Sequence, residues 1–351
     1  MNSLDYINPY SWIIKARDGL YNTGWIEKKI FNSTIISVGN LNVGGSGKTP
    51  FIQYLVTEIK KNDAKKQVLI ISKSYKAALK KPQQVFIQDI HSPELFGDEP
   101  CLLKSIVDAD VWSGPVKNET LTVAVHNKNY DFIIIDDGFS HLKIKRDLDI
   151  ILFDVSRDIN HYQMMPFGFM REPWSALGRS DLVILTKTEN QDPLKINFYK
   201  QKIQKYQKNI LTAQFKTELF FGSDNEFGNE SRNESRSESD QTDKNIYFFS
   251  GLGHPDSVLK ALQSQNYKVI KNDIFPDHFN YTESIQNQIL AKYQKQNLKQ
   301  KLLLVTTEKD FIKLTISELI EKVHKIKLVV SMAMSDQKKL IEIIFSKLKK
   351  R

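Results

Sequence analysis

The segment SVGNLNVGGSGKTP, residues 37–50, has the residue types and spacing of a phosphate-binding loop between a strand and a helix. Its glycines let backbone N–H groups close on phosphate oxygens without a Cβ in the way. Lys48 is placed to neutralise the β- and γ-phosphates of a nucleotide, and the Thr49 hydroxyl to bind Mg²⁺. We therefore predict that ATP is held by Gly44, Gly45, Ser46, Gly47, Lys48 and Thr49.

The loop departs at one position from the common pattern G-x-x-x-x-G-K-[ST], which would place a glycine at Asn42. Asparagine is among the few residues that tolerate left-handed backbone geometry, so the turn is expected to survive. A glycine-rich turn without any ligand is the alternative, and the intact GKT makes it the weaker interpretation.

A second group of chemically useful residues is DFIIIDDGFSH, residues 131–141. Four apolar residues lead into Asp136 and Asp137, which is the Walker B arrangement of a strand that ends in carboxylates beside a phosphate loop. One carboxylate is expected to hold Mg²⁺ directly or through water. The other is expected to orient the nucleophile or to bind a second ion. The sequence does not decide which aspartate has which role.

Strands and helices alternate around these motifs, which predicts βαβ units and a mostly parallel sheet. Such strands are buried on both faces and therefore read as continuous apolar runs. Predicted helices include 51–60 and 99–107. The runs lie at 34–38, 68–72, 132–136, 150–154 and 182–186, and later at 246–250, 269–270 and 302–306.

These patterns predict an α/β fold with a P-loop NTPase-like domain and a second, smaller α/β domain. Residues 222–244 are rich in Ser, Asn, Glu and Asp, and we expect a disordered surface loop there because the segment has little to bury. The predicted division is 1–33 for an N-terminal helical region, 34–215 for the kinase-like domain, 216–245 for a linker with an insert, 246–335 for the second domain and 336–351 for a basic C-terminal helix.

Residues 9–30 are predicted to form an amphipathic helix that carries both aromatic and basic side chains, among them Trp12, Trp25 and Lys28. This mixture suits a membrane interface. A helix packed on the protein core is the alternative interpretation, and these residues alone do not exclude it.

Composition narrows the class of protein. The chain has 351 residues, a net charge of +9 and one cysteine, Cys101, so an intramolecular disulfide is excluded. The positive charge favours anionic partners without choosing among them. No signal peptide and no apolar run of transmembrane length are expected.

Taken together and in order, the motifs resemble those of the tetraacyldisaccharide 4′-kinases, the lipid A 4′-kinases of Gram-negative bacteria. The resemblance covers most of the chain, and Asn42 is in keeping with it. The motifs are VGNLNVGGSGKTP (38–50), FGDEP (96–100), IIDDGFSHLKIKRDLDIILFD (134–154), PFGFMREPWSALGRSDLVILTK (166–187), FSGLGHPDSV (249–258), FPDHFNYT (275–282) and TTEKDFIKL (306–314).

The resemblance implies an enzyme that uses ATP and Mg²⁺ to phosphorylate the 4′-hydroxyl of a tetraacylated glucosamine disaccharide 1-phosphate. It also implies a peripheral protein on the anionic cytoplasmic face of the inner membrane, seated there by its N-terminal helix. Two domains joined by a two-stranded linker are expected to form a cleft. Neither nucleic acid nor an obligate protein partner is expected.

The resemblance also assigns roles to single residues. Asp98 and His278 match a catalytic dyad, and we expect domain closure to assemble them. Arg171 and Glu172 match a charged pair near the phosphates and the metal. The resulting prediction is a catalytic set of Asp98, His278, Lys48, Asp137 and Arg171, and a metal-side set of Thr49, Asp136, Asp137 and Glu172.

Two other functions are weighed against a kinase. A nucleotide-switch ATPase or GTPase would control a partner protein, but residues 185–189, LTKTE, fit the guanine-reading N-K-x-D loop poorly. A nucleic-acid-binding ATPase is suggested only by the positive charge.

The block SKSYKA, residues 72–77, departs from the family pattern. Lys73 stands where an arginine is usual, and a lysine cannot form the bidentate contacts that an arginine forms.

Overall fold

The strands of this protein form one continuous twelve-stranded sheet in a computed structural model that describes residues 8–220, 244–253 and 255–349. In chain order the strands are β1 (Thr34–Gly39), β2 (Val68–Lys73), β3 (Gln83–Val85), β4 (Asp110–Gly114), β5 (Phe132–Asp136), β6 (Leu148–Asp154), β7 (Leu182–Thr186), β8 (Ile210–Phe220), β9 (Asn245–Ser250), β10 (Lys268–Ile274), β11 (Leu303–Thr307) and β12 (Val323–Met332).

The helices that cover the sheet are α1 (Pro9–Asn22), α2 (Lys48–Asn62), α3 (Pro93–Phe96), α4 (Asp98–Ile106), α5 (Lys117–Asn127), α6 (Pro193–Gln204), α7 (Asp256–Ser264), α8 (Glu283–Asn297), α9 (Glu308–Phe311), α10 (Ser317–Lys322) and α11 (Met334–Ser346). Short 3₁₀ turns occupy Ile87–Asp89, Ile159–Tyr162 and Trp174–Arg179.

The strand order is β10-β9-β11-β12-β8-β7-β6-β1-β5-β2-β4-β3. Only the β3–β4 and β8–β12 neighbours are antiparallel, so the predicted mostly parallel α/β class is confirmed. The long β8–β12 pair runs from Ala213 opposite Met332 to Phe220 opposite Lys325 and joins the two halves of the sheet. The resemblance implies a two-stranded linker between the domains, and β8 and β12 are the two strands at this junction.

The central strands are buried on both faces, as their apolar runs predict. In β1, Ile35 and Ile36 point to opposite sides and enter different core clusters. One cluster contains α2, α4 and α11, and two others cover the opposite face. The second half has its own core around Tyr247, Phe249 and Leu304.

The N-terminal helix is shorter than predicted. It begins after Asn8, whose side chain accepts a hydrogen bond from the Tyr10 amide, and it ends at Asn22 instead of continuing to residue 30. Gly24 follows with φ of +78°, a left-handed conformation that ends the helix. Trp25, Ile26 and Ile30 therefore lie in the connection to β1 and are exposed.

The C-terminal helix α11 packs against the phosphate-loop half of the sheet. Leu340 and Ile344 are fully buried in the same core cluster as α2, and the Thr34 hydroxyl donates to the carbonyl of Lys347. Residues 222–243 of the polar tract lie outside the described residues, as does His254.

Candidate active site

The predicted phosphate loop lies between the end of β1 and the start of α2, at the carboxyl edge of the parallel strands. Gly44 and Gly47 have φ of +111° and +86°, and α2 begins at Lys48. A Cβ on Gly47 would lie 2.5 Å from the ring of Phe215. Position 47 therefore needs glycine for its backbone conformation and for this close contact.

Residues at the end of strand β7 form hydrogen bonds with the phosphate loop. The Thr186 hydroxyl donates to the Ser46 carbonyl at 3.3 Å. Lys187 donates to the Gly45 carbonyl at 3.1 Å and pairs with Asp154 at 2.7 Å. Lys187, the residue directly after β7, has no role predicted from the sequence. These contacts engage the carbonyls of Ser46 and Gly45, whereas an anion is bound by the N–H groups of such a loop.

Asp137 lies where β5 ends and is surrounded by cations. Its carboxylate accepts from both Nη atoms of Arg171, at 2.9 and 3.1 Å, and lies 3.6 Å from Lys48 Nζ. Burial alone would raise the pKa of Asp137, but Lys48, Arg171 and Lys117 outweigh burial and hold that pKa well below its usual range. Asp137 is therefore a permanent anion that positions two of the predicted phosphate ligands.

Lys117 organises the turn after β5, and sequence reasoning missed it. This lysine is buried, and its Nζ donates to the carbonyls of Asp136 and Asp137. Asp137 has φ of +48°, which turns these carbonyls toward the ammonium group. Burial lowers the pKa of Lys117, although both carboxylates oppose that shift. Residue 117 carries no sequence signal beyond a lysine at the start of a helix.

Asp136 has a different environment from its neighbour. Its Oδ2 accepts from the Ser72 hydroxyl at 2.9 Å, and burial raises its pKa despite the nearby Lys117 and Lys48. A buried carboxylate without a bidentate cation partner, beside a phosphate loop and Thr49, fits the ligand set of Mg²⁺. That ion usually binds one or two carboxylates together with substrate phosphates. The oxygen donors present therefore fit the predicted ion.

Asp98 and His278 are brought together from opposite halves of the sheet. Asp98 is the first residue of α4, and His278 lies in the loop after β10 with φ of +60°. Their side chains meet with 2.8 Å between Asp98 Oδ2 and His278 Nδ1. Domain closure is the predicted means of assembling this pair, but the pair is already formed in this structure.

Two lysines flank the pair and were not assigned from the sequence. Lys313 Nζ lies 3.0 Å from Asp98 Oδ2, and Lys309 Nζ lies 3.4 Å from His278 Nε2. Both belong to the TTEKDFIKL block, in which α9 and the residues after it place positions 309 and 313 on one side. Two lysines four residues apart, shortly after the end of a predicted strand, are the sequence signal that could have identified them.

Arg171 and Glu172 are adjacent, but they point to different places. Arg171 contacts Asp137 and donates to Asn40 Oδ1 at 3.1 Å. Glu172 has only 1% of its side chain exposed, and both carboxylate oxygens bind guanidinium groups of Arg17 and Arg179. Within the described ranges, Asp136, Asp137 and Glu172 form no shared metal cluster. This placement does not match the predicted metal-ligand role of Glu172.

The sequence matches the family model described as tetraacyldisaccharide-1-P 4′-kinase over residues 8–349. The tetraacyldisaccharide 4′-kinase of Leptospira biflexa is 33% identical over 293 residues, which cover 80% of this chain and 76% of the relative. That of Bdellovibrio bacteriovorus is 29% identical over 315 residues, which cover 88% and 89%. A nucleotide switch is not favoured by these relatives.

The fold comparison agrees with the sequence comparison. The crystal structure of the "apo" form of LpxK from Aquifex aeolicus in complex with ATP is similar with a TM-score of 0.72 and 27% identity. The similarity covers 98% of this chain and 97% of that one. With the phosphate loop and paired carboxylates in place, the chain belongs to the tetraacyldisaccharide-1-P 4′-kinase family and is a kinase of lipid A biosynthesis.

Proposed function

We propose that this kinase transfers the γ-phosphoryl group of ATP to the 4′-hydroxyl of its disaccharide 1-phosphate substrate in the cleft between the two halves of the sheet. The observation that carries this proposal is the 2.8 Å contact between Asp98 and His278. It places a base on one side of the cleft, and Lys48 and Asp137 lie on the side where the phosphates bind.

The phosphate side of the cleft supplies positive charge and fixed amides. The N–H groups of Gly44–Gly47 and the Lys48 ammonium bind the β- and γ-phosphates. Arg171, held by Asp137 and Asn40, supplies a second cation next to the transferred group. Because these groups are fixed before the reaction, they stabilise the charge of the transition state without reorganisation.

The dyad supplies the base. With Asp98 bound to Nδ1, the imidazole of His278 carries its proton on Nδ1 and keeps Nε2 free of a proton. Lys309 Nζ lies 3.4 Å from Nε2 in this structure, and the acceptor hydroxyl takes the place of this ammonium as the hydrogen-bond donor to Nε2. As the hydroxyl oxygen attacks the γ-phosphorus, its proton passes to Nε2, the bond from phosphorus to the bridging oxygen breaks, and ADP leaves.

Mg²⁺ fits the oxygen donors beside the loop, namely the Asp136 carboxylate and the Thr49 hydroxyl. When bound, the ion neutralises charge on the β- and γ-phosphates. Asp137 is less suited to direct ligation because its oxygens already accept from Arg171. We therefore assign the direct contact to Asp136 and a positioning role to Asp137.

We further propose that the protein lies on the anionic cytoplasmic face of the inner membrane. Exposed apolar side chains support this location: Trp12, Ile13 and Leu20 on α1, and Trp25, Ile26 and Ile30 beyond it. Among the described helices, none is long and apolar enough to cross a bilayer. A tetraacylated substrate resides in the membrane, so a surface-bound enzyme has direct access to it.

A transfer assay tests the dyad. Purified protein, γ-labelled ATP, Mg²⁺ and tetraacyldisaccharide 1-phosphate in detergent micelles are followed for label at the 4′-position. Asp98→Asn and His278→Gln are each expected to lower kcat by about 10²–10⁴ with a smaller effect on ATP affinity, and the double variant is expected to be as slow as either single one.

The control is His126→Gln, which removes an exposed histidine at the end of α5. Independent, multiplying losses from Asp98→Asn and His278→Gln would contradict a dyad. Absence of lipid label with the wild-type protein, despite ATP binding, would contradict the proposed substrate.

A further inference from the structure

The segment of residues 165–172, here named the bridging segment, lies between helix α1 and the phosphate loop. On its loop side, the Val43 amide donates to the Phe169 carbonyl at 2.8 Å, and the Arg171 amide donates to the Leu41 carbonyl at 2.7 Å. The first half of the phosphate loop is therefore held by backbone hydrogen bonds to this segment.

On its other side, the bridging segment is held by helix α1. Asn8 Nδ2 donates to the Met165 carbonyl at 2.8 Å, and the Tyr10 hydroxyl donates to the Arg171 carbonyl at 3.2 Å. Arg17 Nη2 donates to both carboxylate oxygens of Glu172, at 2.8 and 3.0 Å. Asn8, which precedes α1, and Tyr10 and Arg17 of α1 thus contact both ends of the segment.

Four charged side chains, Arg17, Asp18, Glu172 and Arg179, form a closed cluster at the end of these contacts. Arg179 bridges Asp18 at 3.1 Å and Glu172 at 3.0 Å, and Asp18 accepts from Arg17 at 2.6 Å. Because Glu172 is almost fully buried, its charge needs these partners, and loss of one leaves an incompletely paired buried anion.

The cluster also reaches the turn that carries the metal-side carboxylates. The Arg179 guanidinium lies 4.0 Å from the centre of the Phe139 ring and donates to the Phe139 carbonyl at 3.4 Å. Phe139 follows Asp137 by two residues. The helix is therefore connected to both walls of the phosphate site, directly through the Arg171 carbonyl on one side and through Arg179 to Phe139 on the other.

We propose that Glu172 is a positioning residue that, with Arg17 and Arg179, couples docking of helix α1 to the placement of Arg171. A change in how the apolar surface of the helix is docked would then alter the placement of Arg171 in the phosphate site. This inference rests on the proposed phosphoryl transfer and adds a role for residues that touch neither ATP nor the acceptor.

Kinetics of Arg17→Met test the coupling. The variant keeps much of the side-chain volume but removes the guanidinium group. We expect kcat in the micelle assay to fall roughly tenfold, because the charge-assisted contact to Glu172, the chain neighbour of Arg171, is lost. Arg17→Lys is expected to recover part of that loss. Lys128→Met, which removes an exposed 2.9 Å pair with Asp110, is the matched control and is expected to retain wild-type kcat.

The combination with Arg171→Met separates coupling from a general structural effect. If α1 acts through Arg171, Arg17→Met lowers kcat in the wild-type background and has no further effect in the Arg171→Met background. Equal loss in both backgrounds, or unchanged kcat for Arg17→Met alone, would overturn the inference. Failure of wild-type protein to label the lipid would overturn the proposed function instead.

A milder variant covers the case in which Arg17→Met does not fold. Tyr10→Phe removes only the hydrogen bond to the Arg171 carbonyl. It is expected to lower kcat about threefold when Arg171 is present and to have no effect with Arg171→Met. An unchanged kcat for Tyr10→Phe in the wild-type background would count against the coupling as well.

Discussion

Asp136 and Asp137 are neighbours in the chain, yet the protein shifts the pKa values of their carboxyl groups in opposite directions. Burial raises the pKa of Asp136, whose hydrogen-bond partner is the Ser72 hydroxyl. For Asp137, three cations from other elements, Lys48, Arg171 and Lys117, overcome burial and lower the pKa. Environments that separate the pKa values of paired carboxylates also separate their roles. This contrast supports assigning the metal contact to Asp136 and the positioning role to Asp137.

Replacement of Lys48 tests the phosphate loop at the level of one side chain. Lys48→Met should lower kcat by about a thousandfold or more, because the γ-phosphate loses its main positive contact in the transition state. The measurement is label transfer to the lipid. Lys60→Met on the same helix is the control, since Lys60 pairs with the exposed Asp108 and lies far along the helix from the loop. Near-normal turnover of Lys48→Met would contradict the loop assignment.

His141 gives a prediction for pH dependence. Burial, followed by the nearby Lys117, lowers the pKa of His141 to about 4 from its ordinary 6.5. Between pH 6.5 and 4 the unfolded chain therefore binds more protons than the folded protein, and the free energy of unfolding falls as the pH is lowered. The expected contribution to that fall is about 1–3 kcal/mol.

Urea unfolding at several pH values between 4 and 7 measures this contribution. His141→Gln should show a weaker decrease of the unfolding free energy in that window, because glutamine does not titrate. His126→Gln, which removes an exposed histidine, controls for the substitution itself. The same pH dependence in wild type and His141→Gln would show that His141 is not the group responsible.

At the scale of elements, α11 is a structural part of the phosphate-loop half, although it comes last in the chain. Ile344 and Leu340 are fully buried against the same core as α2. Ile344→Ala is expected to reduce the free energy of unfolding by about 2–5 kcal/mol, because it removes buried methyl groups and leaves a cavity.

Chemical denaturation measures this loss, and Glu342→Ala is the matched control. Glu342 is exposed on the same helix, so its replacement should change the unfolding free energy by no more than about 0.5 kcal/mol. A loss from Ile344→Ala as small as that of the control would mean that α11 does not stabilise the phosphate-loop half.

At the scale of the whole molecule, the continuous sheet explains how distant residues meet. β8 and β12 join the two halves, and helix α9 of the second half contacts helix α4 of the first half. Asp98 and His278 are 180 positions apart in the chain but lie 2.8 Å apart in space. The strand order of the sheet therefore brings together the aspartate and the histidine of the dyad and the two flanking lysines.

The membrane proposal belongs to the same scale and predicts a change in vesicle binding. Trp12 and Ile13 are 56% and 65% exposed on α1. The double replacement Trp12→Ser and Ile13→Ser should weaken partition to vesicles that contain phosphatidylglycerol by roughly tenfold or more, because their apolar area no longer enters the interface.

Vesicle co-sedimentation measures this partition. Leu298→Ser is the control, because Leu298 is 90% exposed just beyond helix α8 in the other half of the protein. Equal losses for the α1 variant and the control, or unchanged partition of the α1 variant, would contradict a membrane role for this helix.

The sequence by itself determined the elements whose signals are local. One apolar run followed by the loop that ends in GKT, and another that ends in Asp136–Asp137, predicted two central strands and the two sides of the phosphate site, because strand pattern, glycine geometry and charge are properties of adjacent residues. Ordered motifs along the chain were enough to identify the family.

Only the tertiary structure decided which side chains share an environment. Four lysines look like ordinary surface residues in the sequence, but their roles depend on carbonyls, a carboxylate and an imidazole elsewhere in the chain: Lys117, Lys187, Lys309 and Lys313. Glu172 stands beside Arg171 in the sequence but faces Arg17 and Arg179. Adjacent side chains can point to opposite sides of the backbone, so contact partners depend on long-range packing rather than on spacing.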